Sequence, residues 1–148
     1  MRKRMNAQAG SRLAVTQPAR SLAQRQCERC GTVFAALPES TDLCELCEAR
    51  WQRHREAHER FAKGAAAIGL DFQVKEGRRL PQLNAVKIPA GFDDKTGRKE
   101  LLEKHGIEIG GGLGDLAGKV WRIGLMGYGA RTEVVDQVLA ALKSLLKK

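Results

Sequence analysis

No apolar run in this 148-residue chain approaches the ~18 residues that a membrane-spanning helix needs. There is no secretory h-region either. Both absences point to a cytoplasmic protein with no membrane partner. Aromatic residues make up only 5% of the chain, and none precedes Phe34. The amino-terminal segment therefore offers nothing on which bases could stack. Acids are missing from the same stretch: residues 1–26 hold Arg2, Lys3, Arg4, Arg12, Arg20 and Arg25 but no Asp or Glu. Several chemical signatures are also absent. No G-x-G-x-x-G opens a helix after a strand, no Lys-Ser/Thr follows the glycines as in a P-loop, and no H-E-x-x-H occurs. There is no internal repeat.

What is present divides unevenly. The formal charge is +9, yet beyond residue 26 there are 20 basic and 17 acidic residues, so the body is nearly balanced. The basicity belongs to the tail. Without periodicity, and rich in Gln, Ser and Ala, residues 1–26 are expected to be a disordered, solvated leader rather than a nucleic-acid arm. The tail loosely matches an organelle transit peptide but lacks an amphipathic stripe. At this length the chain allows one ordinary domain plus an extension.

Residues 27–47 hold every cysteine. Cys27-Glu-Arg-Cys30 and Cys44-Glu-Leu-Cys47 are two C-x₂-C pairs with 13 residues between them. Two such pairs can complete a tetrahedral Zn²⁺ shell, and the intervening GTVFAALPESTDL can form a short hairpin with Pro38 in its turn. The separation is slightly below the usual ribbon range. Two other readings stay open. In one the thiols are reduced and metal-free, and Leu43 to Trp51 extends the next helix with Cys44 and Cys47 at i, i+3. In the other the upstream stretch has no evolved structure. A disulfide framework does not suit a chain without signs of secretion.

From Glu48 to Ile68 the residues Trp51, His54, His58, Phe61, Ala62, Ala65 and Ile68 recur at helical spacing, and Gly69 suits the stop. His54 and His58 at i, i+4 have metal-binding spacing but read better as helix-face side chains. Leu70–Val74 and Leu83–Ile88 alternate as strands. Asp93 or Asp94 caps a helix reaching Lys104, with Leu101 and Leu102 inward and Gly106 as its stop. Ile107–Ile109 and Val120–Met126 read as strands. Thr132 caps a last helix with an apolar stripe of Val135, Val138, Leu139, Leu142, Leu145 and Leu146, and with Lys143, Lys147 and Lys148 at its negative end. The order predicts an α+β fold: a small two-layer domain whose largely antiparallel sheet carries helices on one face.

Within Val120-Trp121-Arg122-Ile123-Gly124-Leu125-Met126 a single arginine interrupts an apolar run. A guanidinium stays charged in a protein, so placing it on such a strand is costly unless an anion meets it; its planar fork fits a carboxylate through two parallel hydrogen bonds. A solvent-facing arginine on an alternating strand is the plain alternative. The preceding loop has glycines at 110, 111, 112, 114 and 118. Asp115 would repel phosphate, so the loop reads as backbone freedom for close approach to a ligand.

The segments GIEIGGGLG and KVWRIGLMG, followed by the terminal amphipathic helix, resemble the C-terminal end of the alanine–glyoxylate/serine–pyruvate aminotransferases. These are class V, fold-type I enzymes dependent on pyridoxal phosphate (PLP). LPQLNAVKIPAGFDD (Leu80–Asp94) and EARWQRHREAH (Glu48–His58) continue the resemblance, which covers residues 48–148. It implies the family's small C-terminal domain, with Arg122 as the residue that binds the substrate's α-carboxylate. It also implies an amino acid and a 2-oxo acid as substrates, and either a complementary large domain or a homodimer as partner. The family's Schiff-base lysine belongs to the large domain, and neither Lys104 nor Lys119 has the context to replace it. The implied protein is a fragment of an aminotransferase, inactive alone. A small zinc-binding interaction protein, contacting nucleic acid or a protein through the basic tail and Cys27, Cys30, Cys44 and Cys47, is the competing reading.

Overall fold

The computed structural model of the chain describes residues 22–36 and 41–147; most of the expected disordered tail and Pro38 lie outside these. The chain divides into two compact units, residues 1–44 and 45–148. In the first, β1 (Ala23–Gln26) and β2 (Val33–Ala36) pair antiparallel. A strand thus occupies positions 23–26, which carry no strand signal in the sequence.

The second unit begins with α1 (Glu45–Ala67), whose first turn carries Glu45 and Glu48 near the helix's positive end. Its buried positions Ala57, Phe61 and Ala65 recur every four residues, and Gly69 ends it at φ +80 with Leu70 N–H returning to Ala65 O at 2.9 Å. β3 (Leu83–Lys87) buries Asn84 and Val86 and turns Leu83, Ala85 and Lys87 the other way. α2 (Asp94–His105) starts on Asp93, which accepts from Thr96 N at 2.7 Å, and stops at Gly106 in the left-handed region. β4 (Gly110–Gly111), β5 (Val120–Gly124) and α3 (Thr132–Leu146) follow, with short 3₁₀ turns at Gly114–Leu116 and Gly127–Ala130.

The sheet order is β3-β5-β4, antiparallel throughout. Trp121 and Ile123 of the central strand share one core with Val86, with Phe61 of α1, with Leu101 of α2 and with Val135 and Leu142 of α3. This is a small α+β domain. α1 and α3 touch at Gly64, where a Cβ would collide with the Leu139 side chain. Arg60 and Asp136 join the same two helices through a two-pronged ion pair at 2.7 Å. Both side chains are about half exposed, so the pair contributes little.

Four local expectations change. The segment 70–74 is no strand: Phe72 makes an isolated bridge to Val86. The short strand falls at Gly110–Gly111 instead of Ile107–Ile109, because ladder position is set by the partner strand and not by apolar side chains; Ile109 is nevertheless buried. Leu102 is 52% exposed, since the inward stripe of α2 runs through Gly97 and Leu101, four apart. Arg131, and not Thr132, occupies the N-cap of α3: its carbonyl accepts from Val134 N and Val135 N, with no side-chain cap.

One partly buried knot ties α2 to β5. Asp94 Oδ1 accepts from Trp121 Nε1 at 3.0 Å, and Arg98 pairs with both Asp94 oxygens at 2.9 and 3.1 Å. The Arg98 hydrogen bonds, assisted by that from Trp121, hold the Asp94 carboxyl below its ordinary range. Trp121 is fully buried, so removing its acceptor leaves an indole N–H unpaired. Asp94→Ala is expected to cost about 1–3 kcal/mol in urea unfolding, and Asp94→Asn, which keeps an acceptor, less. A carboxyl with a lowered native pKa stabilises above the ordinary carboxylate range, and that contribution is lost as pH falls through the native value. Asp94→Asn should therefore flatten the acid limb of the stability–pH curve.

Candidate functional site

Arg122 lies at the centre of the sheet, opposite Ala85 on one side and Gly110 on the other. Its neighbours Trp121 and Ile123 are buried in the core; strand alternation turns Arg122 to the opposite face. That face is lined by small residues. A Cβ on Gly110 would stand 3.3 Å from Arg122 Nη2, so the glycine leaves room for the guanidinium to lie across β4. Arg122 Nε donates to Gly111 O at 2.7 Å. The next glycine is required for a different reason: a Cβ on Gly112 would overlap the Leu116 carbonyl. The glycine loop thus holds the arginine through one carbonyl and closes tightly on itself.

Arg122 borders a cavity of about 200 Å³ together with Phe72, Arg78, Arg79, Leu83 and Ala85. Arg79 is held in place by donating from Nε to Val74 O at 2.9 Å and by stacking 4.1 Å from the Phe72 ring centroid. No carboxylate pairs with Arg122 among the described residues, and none lines this cavity. Three guanidinium groups thus line a partly apolar hollow, a charge arrangement that favours an anion over a cation. Arg78 and Arg79 were not legible as site residues: they read as a turn, which the bridges Phe72–Val86 and Leu80–Leu83 bring beside the sheet.

A larger groove of about 520 Å³ runs along α1 past Trp51, Arg55 and His58 and shares Arg79 and Leu80 with the first. His58 Nδ1 sits 2.6 Å from the Oδ1 of buried Asn84. The histidine thus ties α1 to β3. His54 and His58 join no cluster of ligand atoms among the described residues.

The first cysteine pair lies in the turn of the hairpin, not outside it: Cys27–Thr32 connects β1 to β2, closed by Cys27 N–H to Thr32 O at 2.9 Å and Gly31 N–H to Cys27 O at 2.8 Å. Val33–Ala36, within the segment expected to form a hairpin between the two pairs, instead joins Ala23–Gln26; the turn expected at Pro38 lies outside the described residues. α1 begins at Glu45, so Cys44 just precedes it and Cys47 falls in its first turn. The backbone amide of Cys44, with smaller help from those of Cys30 and Arg29, pulls the Cys27 thiol down to about 6 against the opposing effect of burial.

No protein-family model matches the chain. It is 42% identical over 117 residues to (S)-ureidoglycine–glyoxylate transaminase of Bacillus subtilis, a match covering 78% of this chain and 28% of that enzyme. It is 44% identical over 101 residues to alanine–glyoxylate aminotransferase of Rattus norvegicus, covering 68% of this chain and 24% of that one. The crystal structure of alanine–glyoxylate aminotransferase from Nostoc superposes with a TM-score of 0.63 at 50% identity, over 65% of this chain and 26% of that chain. The chain thus spans about a quarter of the length of the relatives it matches. It carries a segment homologous to the C-terminal part of the PLP-dependent alanine–glyoxylate and ureidoglycine–glyoxylate aminotransferases.

Proposed function

We propose that this chain is the small domain of a class V aminotransferase and supplies the site that grips the substrate's α-carboxylate. The observation that carries this is Arg122: half-buried, fixed through Nε to Gly111 O, bordering a cavity with no acid in it. With Nε engaged, the terminal nitrogens meet the two oxygens of a carboxylate. Holding both oxygens orients the bond at the adjacent carbon, which is what a proton abstraction at that carbon needs. The substrates on this reading are an alanine- or serine-type amino acid and a glyoxylate- or pyruvate-type oxo acid.

PLP supplies the electron sink in such a reaction and requires a lysine, a phosphate cradle and a partner for its ring nitrogen. The described residues do not fit it: every lysine among them is solvent-exposed, as is Asp115, which sits in the one glycine-rich loop. On this reading a complementary large domain holds the cofactor.

Two measurements test the proposal. Added PLP should leave the absorbance of the purified chain unshifted and produce no amino transfer. Mixed with the cofactor-bearing part of a homologous aminotransferase, the chain should restore transfer from alanine to glyoxylate. Arg122→Lys should then lower kcat/KM roughly ten- to hundredfold, the effect of losing one charge-assisted bond worth about 1.5–3 kcal/mol. Reconstituted activity indifferent to Arg122 would end the reading. Gly110→Val should act in the same assay by crowding the guanidinium, raising KM for the carboxylate substrate more than it lowers kcat.

A further inference from the structure

The amino-terminal unit has almost no core. Among its described residues only Cys27, Ala36 and Cys44 are buried, and two of these three are cysteines. A lone two-stranded hairpin is marginal in water, and units this small ordinarily need a disulfide or a metal. No disulfide joins Cys27, Cys30 and Cys44, yet their sulfurs lie within 4.8 Å of one another. Four thiolates around zinc at bonds of ~2.3 Å in a tetrahedron stand ~3.8 Å apart. Cys30 Sγ and Cys44 Sγ are 3.7 Å apart.

The surrounding backbone is shaped for the same purpose. Gly31 takes φ +74 directly after the first pair, which lets the turn fold beneath the sulfurs. Glu28 N–H donates to Asp42 O at 3.0 Å, and Arg25 pairs with Asp42 at 2.9 Å; both bonds tie the first pair to the segment leading into the second. The Thr32 hydroxyl lies 3.2 Å from Cys30 Sγ, placed to donate to a metal-bound thiolate. The repeat of the C-x₂-C spacing nominates Cys47, one helical turn past Cys44, as the remaining ligand.

We infer that Cys27, Cys30, Cys44 and Cys47 form a closed tetrathiolate zinc site that serves as the missing core of the hairpin. All-sulfur ligation with no open position suits a structural ion and not a catalytic one. The inference is independent of the aminotransferase reading.

The full chain, expressed with zinc and dialysed against buffer, should retain one zinc per chain by elemental analysis. Replacing zinc with Co²⁺ should give a thiolate-to-cobalt charge-transfer band and the visible bands of a tetrahedral site. Cys30→Ser, at the one exposed cysteine, should weaken zinc at least tenfold in a chelator competition while the helical circular dichroism persists. A helical chain whose four thiols are all titratable, and which keeps no zinc and gives no charge-transfer band with Co²⁺, would overturn the assignment.

Discussion

The guanidinium of Arg122 is a permanent charge that the fold half removes from water without pairing it to an acid among the described residues. The rest of the second unit is arranged so that this can happen. Trp121 and Ile123 anchor the central strand in the core on one face, which commits the residue between them to the other. The acid at the start of α2 is engaged elsewhere: Asp94 accepts from Trp121 Nε1 and from Arg98. Gly110 and Gly111 give the arginine space and one carbonyl. A charge placed this way is stabilised fully only when an anion arrives, which is the physical content of a carboxylate site.

Much of this was legible. The i, i+4 pattern through Phe61 and Ala65 marks α1, Gly106 marks the end of α2, and the apolar run around Arg122 marks the central strand β5. The failures share a cause. Sequence patterns report which side chains are buried, whereas hydrogen-bond ladders depend on what lies alongside. So Ile107–Ile109 looked like a strand while Gly110–Gly111 pairs, and LDFQV alternated yet contributes only a bridge at Phe72. Arg78 and Arg79 escaped because their role exists only after the chain has folded back onto β3. The cysteine spacing was readable, but the first pair's place inside the hairpin turn depended on a strand at 23–26 whose sequence, AQRQ, has no β signature.

The two units divide the chemistry. The second is homologous to about a quarter of an aminotransferase, and among its described residues three arginines line one cavity while every lysine is exposed. Under the zinc assignment, the first unit draws its order from sulfur more than from apolar area, and its integrity answers to metal supply and thiol oxidation.

The sheet itself has a further property. β4 is only two residues long, and along β3 the outward groups are already taken, with Lys87 N–H bonded to Asp71 O at 2.7 Å and Gln73 N–H to Ala85 O at 2.9 Å. A foreign strand seeking to extend the sheet meets a stub on one flank and an occupied rail on the other. The bridge at Phe72, which ruined the expected strand, therefore doubles as a guard against templated self-association.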